Sequence, residues 1–157
     1  IHDLLAGAVR YARYMARGLS PLFIDANGLS DSLEALASSL PMMYRVACSF
    51  SCSGKGRVDE PGQALNLYRI ARMAVQNAVH EGKAAHVDIR LKTTSKSISL
   101  IVSDDGSPRA TPAVSSEYCH CMIDYRMRIM SGSVIVKNRR GGGTVVRCVA
   151  PLRRLEN

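Results

Sequence analysis

At 157 residues, with 46% apolar side chains, the chain has the size of one domain and enough material to bury a core. It has no tryptophan and only two phenylalanines, so Leu, Ile, Val, Met and Ala must fill that core; no apolar run reaches the length of a membrane span, and there is no signal-peptide pattern. The net charge of +8 is spread over scattered arginines without interleaved aromatics, which argues for a solvated basic surface and against a nucleic-acid partner.

Residues 1 to about 18 read as a helix: Ile1, Leu5, Ala8, Ala12, Met15 and, just beyond, Leu19 recur at spacings of three and four in a narrow apolar stripe, and Gly18 and Pro21 stop it. The chain opens inside this pattern and so reads as a piece of a longer protein. The first helix is then either half of a bundle seam or a surface helix packed on its own domain. Ser30 is an expected N-cap for an apolar face of Leu33, Leu36, Ala37 and Leu40, which Pro41 interrupts or bends. Arg45–Cys52 alternates weakly, as a strand does, and Ser53–Pro61 is a polar loop whose Gly-Lys-Gly lacks phosphate-loop spacing. Gln63–His80 is a helix with Leu67, Ile70, Ala71, Ala74 and Ala78 on one face, ended by Gly82. Val87, Ile89 and Leu91 alternate with polar residues, and Ile98, Leu100 and Val102 repeat the pattern, predicting two half-buried strands. A long loop, Ser103–Ser116, precedes a helix over Tyr118–Met130. Two strands, Ser133–Asn138 and Thr144–Leu152, are joined by the turn NRRGGG. The five cysteines lack framework spacing, so they are read as reduced thiols of a cytoplasmic protein, and Cys119-His120-Cys121 is not read as a zinc site. The expected class is α+β, a two-layer sandwich with helices on one face of a mixed, mostly antiparallel sheet.

Three segments carry candidate chemistry. Met73, Asn77 and His80 form a stripe at the edge of the apolar face of the Gln63–His80 helix. A half-buried asparagine there needs partners for its amide, and its carbonyl oxygen suits a hard cation already held by phosphates; bonding to a neighbouring loop explains it as well. Strand parity aligns Asp104 with Ile98, Leu100 and Val102, so its carboxylate points toward the core and requires a donor: a purine amine, a backbone N–H or an arginine. Asp105 points the other way, and Gly106 is expected to turn the chain with a positive φ. Gly141-Gly142-Gly143-Thr144 permits close approach of a ligand or simply closes a hairpin.

Taken in order, these segments resemble the catalytic ATP-binding domain of two-component sensor histidine kinases, in the subgroup related to nitrate sensors and in the superfamily shared with gyrase and MutL. AVRYARYMARGLSP resembles the end of the second dimerisation helix and the junction after it. LYRIARMAVQNAVHEGKAAHVDIRL resembles the N box and the strand after it. VSDDG resembles the first glycine box, and GGGTVVRCVAP the last. The resemblance implies an α/β sandwich with a boundary near residue 20, the dimerisation-helix remnant in 1–20 and the ATP-binding domain in 21–157. It implies Mg²⁺ on Asn77 and the adenine amine on Asp104. Gly106 would lie at the adenine, and Gly143 with Thr144 at the adenine side or the phosphates, under a lid over roughly 107–120.

It further implies transfer of the ATP γ-phosphoryl to a histidine outside this chain. The implied partners are a response regulator and the protein's own dimerisation domain, in a homodimer. The location implied is cytoplasmic, with a parent protein that membrane anchoring would suit. The sequence departs from the family pattern at Met73, where an acidic residue is expected, at Glu81, and at Pro108. It departs again at Glu117-Tyr118-Cys119-His120, where a glycine-rich run would bring N–H groups to phosphates. These departures place the same fold, used as a binding or dimerisation module without phosphoryl transfer, beside the kinase reading.

Overall fold

The computed structural model describes residues 28–54, 57–107 and 114–153. The helix expected over residues 1–18, its junction and Pro108 lie outside the described residues. In chain order the elements are α1 (Gly28–Tyr44), β1 (Ala47–Ser53), α2 (Pro61–His80), β2 (His86–Thr93), β3 (Ser97–Asp104), α3 (Val114–Ile129), β4 (Ser133–Asn138) and β5 (Thr144–Pro151). The strands form one sheet in the order β1-β2-β3-β5-β4. β1 pairs parallel with β2, and the other three pairings are antiparallel. The expected α+β sandwich with a mixed, mostly antiparallel sheet is the observed one.

The period-2 pattern sets the core. Val87, Ile89 and Leu91 of β2 and Ile98, Leu100 and Val102 of β3 are buried, and the register places Ile89 opposite Val102 and Leu91 opposite Leu100. Val146, Cys148 and Ala150 extend this face on β5. The helices cover it with Leu29, Leu33, Leu36 and Leu40 of α1, Leu67, Ile70, Ala71 and Val75 of α2, and Ile123 and Met127 of α3. At about 25 cal/mol per Å² of buried apolar surface, such a layer is the main favourable contribution to folding.

Local expectations changed in places. Ser30 lies inside α1 and is not its N-cap, because the helix already runs from Gly28. Pro41 does not end α1, which continues to Tyr44 before Arg45 takes a φ of 56°. Leu29, Leu33, Leu36, Ala37 and Leu40 are all buried, and this packing outweighs the single backbone bond that proline removes. α2 begins earlier than expected because Glu60 caps it. The Glu60 carboxylate accepts from the N–H groups of Gly62 at 2.9 Å and Gln63 at 2.7 Å, and Pro61 occupies the first turn, where a missing N–H does no harm. Gln63 is 1% exposed and ties α2 to the sheet: its amide donates to the Pro151 carbonyl at 2.7 Å and accepts from the Arg153 N–H at 3.1 Å.

Candidate functional site

The three segments singled out in the sequence converge on the end of β3. Asp104 is 8% exposed, in line with Val102 and Leu100 as parity requires. Its Oδ1 accepts from the Gly106 N–H at 2.8 Å and its Oδ2 from the Thr144 N–H at 3.3 Å. Its backbone carbonyl accepts from Arg139 Nη1 at 2.8 Å. A carboxylate offers about four lone-pair sites, so two N–H contacts leave acceptor capacity on each oxygen. Burial pushes the Asp104 carboxyl up, while the Gly106 and Thr144 N–H groups pull it down, Asp105 adds to the rise and Arg139 opposes it.

Asp105 does the opposite job on the other side. It is exposed, and its Oδ1 accepts from the N–H groups of His86 at 2.8 Å and Ala85 at 2.9 Å. The His86 hydrogen bond is the first cause of its lowered pKa. Asp105 thereby fixes the start of β2 against the end of β3.

The glycines are required by close approach. A Cβ on Gly143 would lie 1.9 Å from the Asp104 carbonyl oxygen, and its φ is +88°. Gly143 therefore lets the β4–β5 turn rest on the Asp104 backbone. Gly106 does not adopt the expected positive φ; it is needed because a Cβ there would meet the Gly82 carbonyl oxygen at 2.6 Å. This contact joins the site to α2. The Ser107 N–H donates to the Gly82 carbonyl at 2.8 Å, and the Gly82 N–H donates to the Asn77 carbonyl at 3.1 Å.

Asn77 stands one turn before this junction, half-buried, and its amide makes no hydrogen bond to another described residue. Its carbonyl oxygen is the hard, neutral donor a magnesium ion accepts alongside phosphate oxygens and water, so the residue fits that role as one ligand among several. Met73, one turn earlier, is packed against the core and its carbonyl accepts from Cys119 Sγ at 3.7 Å. The edge of α2 bearing Met73 thus meets the first turns of α3.

Those turns differ from a glycine loop. α3 begins at Val114, so from Tyr118 onward the backbone N–H groups are engaged in its own ladder. Glu117 is exposed in the first turn, where the helix dipole favours a negative charge. Tyr118 is 64% exposed and Cys119 is buried. Sequence reasoning found Asp104, Asn77 and the glycines but missed Arg139, whose only signal was a basic residue in the NRRGGG turn.

No protein-family model matches the chain. Among curated proteins it is similar to the signal transduction histidine-protein kinase/phosphatase DegS of Brevibacillus brevis, 18% identical over 153 residues. It is also similar to the nitrate/nitrite sensor protein NarX of Escherichia coli, 27% identical over 120 residues. These alignments cover 97% and 76% of this chain but only 40% and 20% of those proteins. Among solved structures it is similar to the ATP binding domain of PrrB from Mycobacterium tuberculosis, with a TM-score of 0.58 and 17% identity over 80% of this chain and 95% of that one. The histidine kinase ThkA in complex with the response regulator protein TrrA gives a TM-score of 0.58 at 16% identity, over 82% of this chain and 41% of that one.

Proposed function

From a chain with the fold of the sensor histidine kinase ATP-binding catalytic domain, we infer a domain that binds ATP for phosphoryl transfer in a two-component system. The observation that carries this reading is Asp104. A carboxylate buried in line with core residues is costly unless donors meet it, and here two backbone N–H groups meet it while acceptor capacity remains on each oxygen. An exocyclic purine amine is a neutral donor of the right kind. Gly106 and Gly143 hold the two turns against Asp104 at the adenine end, and Thr144 offers a hydroxyl for the adenine side.

Asn77 would hold Mg²⁺ together with the phosphates of ATP. Bound there, the ion would neutralise phosphate charge. The residues of this chain position the nucleotide and exclude other orientations, which is the main contribution a protein makes to this chemistry. The acceptor histidine is assigned to a dimerisation domain whose last helix and junction correspond to residues 1–20, with residues 21–157 as the nucleotide domain. A response regulator is the expected receiver, in a cytoplasmic homodimeric protein. Among the described residues no helix is long and apolar enough to cross a membrane.

A second reading has its own support: the same fold as a binding or dimerisation module without phosphoryl transfer. Tyr118, Cys119 and His120 hold their N–H groups within α3, and Met73 stands where a carboxylate would act on the reacting end. One titration separates the two. The chain is titrated with a fluorescent ATP analogue with and without Mg²⁺. Kinase use requires saturable binding that Mg²⁺ strengthens. Binding indifferent to Mg²⁺ selects the module reading, and no saturation at about 1 mM ATP, roughly 4 kcal/mol of affinity, sinks the kinase reading.

A further inference from the structure

The seam between α2 and α3 carries a surface that, beyond its Tyr118 end, the nucleotide reading does not use. The two helices run antiparallel, with Arg126 Nη1 donating to Asn66 Oδ1 at 2.9 Å at one end and Cys119 Sγ meeting the Met73 carbonyl at the other. Asn66 precedes Asn77 by eleven residues, ~16 Å along the helix, so the Arg126 end is remote from the Asn77 amide.

α3 is apolar on two sides. One side buries Cys119, Ile123 and Met127, followed just past the helix by Met130. The other presents Tyr118, Tyr125 and Ile129 at 64%, 60% and 46% exposure, with Met122 half-buried between them. Steps of four, three and four residues align these four in one outward stripe. A helix that only had to cover its own core would place charged residues there.

Beside the stripe lie two guanidiniums. Arg69 is exposed one turn after Asn66. Arg126 is partly buried, and its Nε is shut off from solvent with no acceptor. Burial and then the nearby Arg69 lower its pKa, with Tyr118 and Tyr125 close enough to oppose them. Among the described residues neither arginine forms an ion pair, and Asp124 of α3 is engaged by Arg128 at 2.8 Å. Exposed tyrosines beside arginine are the composition of interface centres. Two guanidiniums without counter-charge select carboxylates, which they meet with paired N–H donors.

We propose that Tyr118, Met122, Tyr125 and Ile129, flanked by Arg69 and Arg126, form a docking surface for a protein partner that presents carboxylates beside apolar side chains. Charge complementarity chooses this partner: a purely apolar one would leave both guanidiniums desolvated and unpaired. The proposal stands on the seam alone and does not depend on nucleotide binding.

The test uses the 157-residue chain and a short fluorescent peptide of glutamates interrupted by leucines, followed by anisotropy at about 0.15 M salt. The double variant R69E/Y125S changes two exposed side chains. K92E makes the same charge change on the sheet face turned away from the helices, where Lys92 is exposed. Binding should weaken about tenfold or more in R69E/Y125S and less than twofold in K92E. Equal losses in the two variants, or no binding by the wild type, would overturn the proposal. So would a single-stranded oligonucleotide of matched charge that binds as tightly and is equally sensitive to R69E/Y125S.

Discussion

The two ends of the candidate site are built differently. At the Asp104 end, the aspartate is fixed by contacts from separate segments: Gly106, Thr144 and Arg139 hold it, and Gly143 rests on its carbonyl. At the Asn77 end, the amide has no described partner, Met73 belongs to the core, and the facing turns are ordinary helix. One end is rigid before any ligand arrives; the other has one free ligand atom and few N–H donors to offer. On the proposed assignment, the contrast teaches that the base end and the phosphate end of the site can be built independently.

The largest expected effect tests the rigid end. Gly143→Ala forces a Cβ into the Asp104 carbonyl and a left-handed backbone, and should cost about 3 kcal/mol in chemical denaturation. Gly141→Ala, where φ is +91° but nothing lies within 4 Å, should cost about 1 kcal/mol. Equal losses would show that the close approach to Asp104 carries no weight.

Next comes Asp104→Asn. Losing one charged hydrogen bond to a purine amine should weaken binding of the ATP analogue by about 10- to 100-fold, or ~1.5–3 kcal/mol. Unchanged affinity would remove Asp104 from the recognition of the base.

A smaller effect separates the adjacent aspartates by pH. Asp105 is lowered in the folded state, so its contribution is present above the ordinary carboxylate value and is lost as pH falls through the lowered one. Asp104 is raised, so its contribution is complete below the ordinary value and is lost as pH rises through the raised one. Melting temperatures against pH should therefore show D105N losing less stability in acid than the wild type, by roughly 1 kcal/mol or less at this exposed site. D104N should show the reverse trend. Parallel curves for all three proteins would contradict the opposed environments.

The smallest change in stability belongs to Asn77→Ala, within about 0.5 kcal/mol because no described bond is lost. Its weakening of Mg²⁺-dependent binding should nevertheless be clearly measurable in the same titration. A marked loss of stability would show that Asn77 serves the fold.

Much of this was legible in the sequence because it depends on local period. Val87, Ile89 and Leu91 alternate, Ile98 through Asp104 alternate, and parity alone turned Asp104 inward. The α2 face followed from spacing in the same way. What was not legible depends on partners far along the chain. Gly106 was expected to serve a turn, but its constraint is the Gly82 carbonyl of another element. Pro41 was expected to interrupt or bend α1, but the buried leucines that precede it, Leu29 to Leu40, anchor the helix and it runs on to Tyr44. Gln63 only marked the start of the expected helix, and the positions of Pro151 and Arg153 reveal why it is buried. The parallel pairing of β1 follows from where α2 returns the chain, which strand composition does not encode.

α2 is also a strut fastened at both ends. Gln63 ties its first turn to the exit of β5, and Gly82, one residue past its C-cap, is bonded to Ser107 beyond β3. A helix anchored this way does not tilt as a unit, so amide hydrogens around Ile70 to Val75 are expected to exchange only through global unfolding. Gln63→Ala unties one end, and exchange should then quicken from the first turn inward while the Asn77 end stays protected.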